Sequence, residues 1–145
     1  MIPHHEQAIE MAQMAQERAE DPRVLDLAGR IEAAQQPEIE TLTGWLEDWG
    51  VEDDGMGGMD HGGMDHGGGM MSEGDMVALM DASGGAFDRL FLEMMIEHHT
   101  GAVGMAGTET ADGQNADAIA MAETIRDAQN AEIDEMEQLL TELGG

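Results

Sequence analysis

Cysteine is absent from the 145-residue sequence, which excludes disulfides, thiolate metal sites and cysteine nucleophiles together. Serine occurs only at Ser72 and Ser83, and neither residue lies in a G-x-S-x-G or S-x-x-K motif. A serine hydrolase is therefore not expected. No glycine-rich phosphate-binding motif occurs either. These absences remove several common classes of nucleophilic and nucleotide-dependent enzyme.

Aromatic residues are also scarce, with two Trp, two Phe and no Tyr. A core must therefore be built mainly from Ala, Leu, Ile and Met, which suit helix packing better than sheets. The apolar fraction of 41% is that of a globular protein, and the length suits one domain. Apolar runs such as residues 76–80 are too short to span a bilayer, so membrane insertion is not expected.

The charge is almost entirely of one sign, because 32 acidic residues accompany only five basic ones, all of them Arg. The net charge of −27 repels nucleic acid and anionic lipid and attracts cations. Metal ions are therefore the expected partners, and nucleic acid is not. Most of these carboxylates are expected to form a solvated surface. The absence of lysine further suggests adaptation to high salt, where screening weakens self-repulsion.

The sequence contains an internal duplication. Residues 1–50 align without a gap with residues 95–144, at a constant offset of 94. The alignment matches MIPHHEQAIEMA in the first unit with MIEHHTGAVGMA in the second. Identical pairs recur along the whole unit: Met1 and Met95, His4 and His98, His5 and His99, Met11 and Met105, Ile31 and Ile125, Gln35 and Gln129, Glu38 and Glu132, Ile39 and Ile133, Leu46 and Leu140, Gly50 and Gly144. A match of this extent indicates a duplicated structural unit.

The first unit is predicted to be a helical hairpin. Its first helix runs to about Glu20, and Asp21-Pro22 then provides a cap and the first residue of a second helix. The second helix is expected to run to Trp49, before Gly50.

The second unit repeats this pattern. A helix is expected to start after Ser83-Gly84-Gly85 and run to about Ala111, and a further helix after Asp112-Gly113 to reach Leu143. Ser72-x-x-Asp75 predicts the cap of a short helix through Met80. The fold class is therefore all-α, a four-helix bundle formed by two hairpins in one domain of residues 1–145. Its parts are the first hairpin (1–50), a long connection (51–75), and the short helix with the second hairpin (76–145).

The connection from Val51 to Asp75 is rich in Gly, Met, Asp and His, a composition that cannot form a core. The pentapeptide MDHGG begins at Met59 and again at Met64. Thioethers and imidazoles spaced along a glycine-rich chain are able to wrap an ion, and an inert linker is the alternative. The candidate metal ligands of this segment are Met59, His61, Met64 and His66.

The second unit is preceded by about two helical turns that the first unit lacks. FDRLFLEM, residues 87–94, leads into Met95, whereas no residue precedes Met1. If the duplication is complete, we expect about ten further residues before Met1, with any signal peptide farther upstream. Met1 would then be an internal methionine.

Two polar residues interrupt the apolar stripe of the second helix in each unit. Gln35 and Glu38 do so in the first unit, and Gln129 and Glu132 occupy the same positions in the second. A buried carboxylate without a partner is costly, so each Glu is expected to meet a hydrogen-bonding partner or a metal. The histidines of the facing helices are the expected partners, which these four residues would orient.

The paired histidines, each flanked by methionine, are the candidate metal ligands of the bundle. His98 continues the apolar stripe of its helix, and Met95 lies one turn before both His98 and His99. Met11 lies two turns from His4 and would need a neighbouring site. The candidates are Met1, His4, His5 and Met11 in the first unit, and Met95, His98, His99 and Met105 in the second. The alternatives are core packing for the methionines and hydrogen-bonded core residues for the histidines.

The softness of these donors selects the metal. Thioether and imidazole without thiolate favour Cu(I), and Ag(I) as its mimic. A di-iron bundle would need Glu-x-x-His, and no Glu lies three residues before any of the six histidines. An EF-hand also fails, because the connection has no alternating Asp or Asn series that ends in Glu. Copper is therefore the expected metal.

The motifs MIPHHEQAIEMA and FDRLFLEMMIEHHTGAVGMA, with Gln-x-x-Glu-Ile at residues 35–39 and 129–133, resemble a known family. It is the ferritin-like domain-of-unknown-function family number 305 of bacterial and archaeal proteins. The resemblance covers nearly all of the chain outside the connection. It implies export to the periplasm or the exterior and a role in copper binding or resistance. The family's ligands would correspond to His4, His5, Met11 and their counterparts, with Met1 and Met95.

Three functions remain open at this stage. The favoured one is a non-enzymatic copper-binding protein that serves sequestration, resistance or delivery. The second is a copper-dependent redox enzyme similar to a cuprous oxidase, and the third is an acidic structural protein with incidental metal affinity. A homo-oligomer and a copper-trafficking protein are the macromolecular partners to consider.

Overall fold

The computed structural model describes residues 2–50 and 69–144, and within these ranges it contains helices and no strands. The elements are α1 (Ile2–Arg18), α2 (Pro22–Asp48), α3 (Glu73–Asp81), α4 (Gly84–Asp112) and α5 (Ala116–Glu142). The hairpin partners α1 and α2 pack together, as do α4 and α5, and α1 also packs against α4. The predicted all-α bundle is confirmed. Met1 and the candidate ligands Met59, His61, Met64 and His66 lie outside the described residues.

Side-chain caps begin the second helix of each unit at equivalent positions. Asp21 accepts a hydrogen bond from the backbone N–H of Arg23 at 2.8 Å, and Pro22 occupies the first helical position. Its counterpart Asn115 accepts from the N–H groups of Asp117 and Ala118. The predicted turns between paired helices are therefore confirmed at both places.

The helix ends differ from the predicted ones by one or two residues. α1 ends at Arg18 rather than Glu20, because the N–H groups of Glu20 and Asp21 donate instead to the carboxylate of Asp88, at 2.9 and 2.8 Å. Asp88 is 1% exposed, so this carboxylate fixes the α1–α2 turn from inside the protein. The predicted short helix is confirmed, with Ser72 and Asp75 forming a capping box.

In the part of the chain that the structure describes, buried apolar side chains form two clusters. The larger contains the aromatic pair Phe87 and Phe91, packed with Met11, Leu27 and Ile31. The smaller contains Ala106, Ala122 and Ile125. Along α4, His98 and His99 come after the residues of the larger cluster and before Ala106 of the smaller one. The histidine pair thus lies at the boundary between two apolar regions of the bundle.

Candidate metal centre

Both histidine pairs point into the bundle. His4 is 4% exposed, His98 1%, and His5 and His99 are fully buried. They lie on α1 and α4, which pack against each other, at positions that the duplication makes equivalent. The sequence pattern predicts this inward orientation, because His98 continues the apolar stripe of its helix and His4 is its counterpart in the first unit.

One histidine of each pair is held by a carboxylate. The Nε2 atom of His5 lies 2.7 Å from Oε1 of Glu38, and Nε2 of His99 lies 2.7 Å from Oε1 of Glu132. A carboxylate only accepts, so Nε2 carries the proton and, in the neutral ring, Nδ1 keeps the lone pair. Metal-binding histidines commonly have such a carboxylate on the second nitrogen, which fixes the orientation of the ring and raises its basicity.

The other two histidines meet across the α1–α4 interface. The ring centroids of His4 and His98 are 3.7 Å apart, with the planes inclined by 35°. The rings of His98 and His99 are 6.5 Å apart. Neither ring nitrogen of His98 has a hydrogen-bond partner among the described residues. Two imidazoles in direct contact, one of them with both nitrogens unpaired, form a nitrogen-rich centre inside the bundle.

The environment keeps His98 neutral. Burial, and after it the charges of His4, His99 and His5, lowers the pKa of His98 from its ordinary 6.5 to about 2. A neutral imidazole is the form that binds metal. His98 is therefore in its ligating form throughout the neutral and mildly acidic range.

The two glutamines of the site are buried without complete hydrogen bonding. Both polar side-chain atoms of Gln35, and Oε1 of Gln129, lack partners among the described residues, although these side chains are only 2% and 3% exposed. They lie one turn before Glu38 and Glu132, the carboxylates that hold the histidines. The unpaired buried atoms of the described chain all belong to His98, His99, Gln35 and Gln129. Native interiors leave few polar groups unpaired, so these four side chains have hydrogen-bonding or ligand capacity that the described residues do not use.

The candidate thioethers occupy different surroundings. Met95 is fully buried one turn before the second histidine pair, in the larger apolar cluster. Met11 is also fully buried in that cluster. Its counterpart Met105 is half-buried and lines an apolar cleft of about 560 Å³ beside Trp45 and Trp49, which we call the tryptophan cleft. Equivalent methionines thus meet unlike neighbours, and the role of each as a ligand stays a prediction.

A short segment near the end of the predicted connection, residues 69–71, covers this part of α4. The side-chain amide of Gln7 donates to the carbonyl oxygen of Met71 at 3.0 Å and accepts from its N–H at 2.8 Å. A Cβ on Gly69, whose φ is +78°, would lie 2.3 Å from the carbonyl oxygen of Glu97 and 3.2 Å from Cα of His98. Residues 69–71, the strap, therefore lie against the backbone at His98, and Met71 is buried.

The strap contact is not repeated in the second unit. Gln7 corresponds to Gly101, so the clamp on Met71 exists in one unit only. Many other positions also differ between the two units, so this difference did not single out Gln7 in the sequence. Asp88 was also missed, because a single acidic residue on a helix is usually solvated.

The described ranges contain no three-residue metal site built from imidazole and carboxylate donors. Within residues 2–50 and 69–144, no group of three or more His, Asp or Glu side chains is arranged to hold a metal ion. The histidines meet each other or a single carboxylate. A metal ion bound to them would therefore take further donors of another type, and thioethers are the buried candidates nearest in sequence.

Comparison with known families decides the affiliation of the chain. Residues 1–140 match the family described as a domain of unknown function, DUF305. The chain belongs to the DUF305 family. The family match spans both helical hairpins and the connection between them. No curated protein sequence matched.

Solved DUF305 structures have the same fold. A candidate secreted DUF305 protein from Streptomyces coelicolor is 30% identical, with a TM-score of 0.88 over 100% of this chain and 90% of the other. CopM in its Cu(I)-bound form is 30% identical, with a TM-score of 0.80 over 100% and 93% of the two chains. CopM in its Cu(II)-bound form is 34% identical, with a TM-score of 0.84 over 98% and 91%. This chain is thus similar to CopM, a protein crystallised with copper.

No helix in the described part of the chain combines the length and the apolar character needed to cross a membrane.

Proposed function

We propose that this DUF305 protein binds copper, with Cu(I) preferred, through buried imidazole and thioether donors. The observation that carries the proposal is His98, which is 1% exposed, lies against the ring of His4 and has both nitrogens unpaired. An unpaired buried imidazole is costly in an apolar interior, and a bound ion would remove that cost. The similarity to CopM, crystallised with Cu(I), Cu(II) and Ag, supports the choice of metal.

Each residue has a distinct role in the proposed site. His4 and His98 are the inner ligands. His5 and His99 offer Nδ1 as a further ligand atom, with no more than two imidazoles on any one ion, while Glu38 and Glu132 accept the hydrogen bond from Nε2–H and hold the rings. Met95 supplies a thioether beside the second pair, and Met1 is its counterpart in the first. Gln35 and Gln129 orient the site through their side-chain amides.

Soft donors favour Cu(I) over harder cations. Thioethers select Cu(I), whereas carboxylate oxygens suit calcium, magnesium and manganese. The two carboxylates nearest the histidines are already engaged by imidazole N–H groups, at 2.7 Å in both cases. The site is therefore suited to a monovalent soft ion carried as cargo, for sequestration, resistance or delivery.

A non-enzymatic role accounts for the burial of the site. The four histidines of the two pairs are at most 4% exposed, and none of them lines the tryptophan cleft. An enzyme that oxidises Cu(I) with oxygen would hold its copper in the same place, so oxygen uptake separates the two functions. We expect stoichiometric retention of Cu(I) without catalytic oxygen consumption.

The connection and the location of the protein complete the proposal. Met59, His61, Met64 and His66 of the connection add further copper ligands to those of the helices. The protein is exported, as the Streptomyces coelicolor relative is considered to be. Export would expose it to copper before the metal reaches the cytoplasm.

Anaerobic Cu(I) titration against a chromophoric chelator tests the function. The chain offers a matched pair of methionines, Met95 and Met136, both fully buried in the larger cluster. Met95→Leu is expected to weaken Cu(I) binding, and Met136→Leu is expected to leave it unchanged. The double variant His4→Gln/His98→Gln is expected to weaken binding on the order of a hundredfold or more. This loss is larger than the one expected when a residue that only orients a ligand is replaced. Unchanged affinity of the folded double variant would refute the proposed site.

A further inference from the structure

The strap joins the two helices that carry the touching histidine rings. Gln7 lies three residues after His4 on α1, and its side-chain amide forms two hydrogen bonds with the backbone of Met71, of 3.0 and 2.8 Å. The backbone of Gly69 lies so close to α4 that an added Cβ would be 3.2 Å from Cα of His98. The strap therefore crosses from α4 to α1 within one helical turn of both rings.

The side chain of Met71 is buried in the bundle. It is 7% exposed and belongs to the larger apolar cluster, which also contains Met94 and Met95. These two residues precede His98 by four and three positions on α4, so they lie one turn away from it on the same helix. The strap thus brings a thioether from outside α4 to the cluster that borders the histidines.

A third protein donor at the His4–His98 contact is expected to be a thioether. Both ring nitrogens of His98 lack hydrogen-bond partners among the described residues. Within residues 2–50 and 69–144, no third imidazole or carboxylate is arranged with such a pair to hold a metal ion. Thioether sulfur is a preferred donor for Cu(I). Met95 approaches His98 along one helix, whereas the segment of Met71 is held by both helices that form the contact.

The strap also makes the contact between the two halves asymmetric. His4 and His98 are equivalent positions, but residues 51–94 have no counterpart in the duplication. Gln7 corresponds to Gly101, so the second unit has no equivalent clamp. The strap therefore adds one thioether, and not a symmetric pair, at the place where the halves meet. One sulfur beside two imidazoles suits one ion at this contact.

We propose that Met71 is a thioether ligand of the copper ion bound at the His4–His98 contact. The strap supplies its sulfur from outside the duplicated units, and the two hydrogen bonds with Gln7 fix the position of the residue. This inference rests on the proposed copper site and adds a ligand to it.

Nuclear magnetic resonance of the methionine methyl groups tests the ligand directly. The full chain is labelled with ¹³C at these groups, and Met71→Leu and Met136→Leu each remove one signal, which assigns the two residues. Ag(I), a mimic of Cu(I), is then added to the unaltered protein. The Met71 signal is expected to shift, because its methyl carbon is attached to the ligating sulfur. The signal of Met136, which is buried in the same cluster, is expected to stay in place.

The affinity for Cu(I) gives a second measure. Met71→Leu conserves volume and apolar character, so packing changes little. It is expected to weaken Cu(I) binding at least about tenfold, since the loss of a residue that only orients a ligand already costs this much. Met136→Leu is expected to leave the affinity unchanged, and circular dichroism checks that both variants are folded.

The variant His4→Gln/His98→Gln separates this inference from the proposed function. In this variant, the Met71 signal is expected to shift only at higher Ag(I) concentrations. The inference alone would be overturned if the histidine variant loses affinity while the Met71 signal shifts no more than that of Met136. A Met71 signal that shifts equally with and without the histidines would also overturn it, because the sulfur would then belong to another site. Unchanged Cu(I) affinity of the histidine variant would overturn the proposed function as well.

Discussion

His4 and His98 lie 94 residues apart in the sequence, yet their imidazole rings touch, with centroids 3.7 Å apart. They are equivalent positions of the duplicated unit, so the contact joins the two halves of the protein at one point. The two neighbouring histidines do not share this contact. His5 and His99 instead form hydrogen bonds with Glu38 and Glu132. Each pair thus divides into one ring at the interface between halves and one ring held within its own hairpin.

The carboxylates that hold His5 and His99 are expected to strengthen metal binding. Glu38→Gln or Glu132→Gln should weaken Cu(I) affinity about tenfold to a hundredfold, because the ring loses its orienting acceptor. Glu40→Gln, a change at an exposed residue on the helix that carries Glu38, should have no effect on the affinity. Competition titration measures the affinity, and circular dichroism should show unchanged helix content. If the Glu38 and Glu132 variants bind as the Glu40 variant does, these carboxylates have another role.

The stability of the metal-free protein is expected to fall in mild acid. Unfolded His98 takes up a proton near pH 6.5, whereas burial lowers the pKa of the folded residue to about 2. Between these values the unfolded state binds more protons, so the free energy of unfolding decreases as the pH falls below about 6.5. Urea denaturation at about pH 7 and pH 5 measures the decrease. His98→Gln should reduce it, and an unchanged pH dependence in that variant would show that other groups cause it.

The strap is expected to tolerate no side chain at residue 69. Gly69→Ala would bring Cβ within 2.3 Å of the Glu97 carbonyl oxygen at a φ of +78°, so the strap must move. We expect a loss of about 1–3 kcal/mol in the free energy of unfolding. Gly74→Ala is the matched control, because it lies in α3 and its nearest contact would be 3.7 Å. The control should be neutral or stabilise by about 0.5–1 kcal/mol. Equal stabilities of the two variants in urea denaturation would contradict this account.

The connection is expected to add copper capacity to the bundle. Deleting residues 55–68 removes the candidate ligands Met59, His61, Met64 and His66 and leaves the strap in place. The number of Cu(I) ions bound per chain at neutral pH should then decrease, while the affinity of the remaining ions stays the same. Equilibrium dialysis under anaerobic conditions, with metal analysis, counts the ions. An unchanged count would assign the metal chemistry to the bundle and make the connection a spacer.

Acid releases metal from histidine sites by protonating the imidazoles. Imidazoles with an ordinary pKa would release metal as the pH falls through about 6.5. His98 does not follow this rule, because its folded pKa is about 2. The inner histidine is therefore able to bind in mild acid. Protonation of His98 is thus not expected to release copper in mild acid.

The helices, their pairing into hairpins and the inward face of each histidine pair follow from the sequence alone. Helical periodicity and end caps are local properties, so residues such as Asp21 and Asn115 indicate where helices start. The offset of 94 then makes the two hairpins equivalent. The expectation of copper also follows from the sequence alone, because the softness of a donor depends on the type of residue and not on its position in the fold.

Tertiary structure alone decided which histidine meets which partner. His4 and His5 are adjacent and differ by about 100° in direction around the helix. Whether each of these two rings contacts α2 or α4 depends on the rotation and crossing angles of the packed helices, which the sequence pattern does not specify. The same holds for Asp88 at the α1–α2 turn and for the Gln7 clamp on Met71. These contacts join residues 64 to 68 positions apart, and only the packing of the bundle brings them within hydrogen-bonding distance.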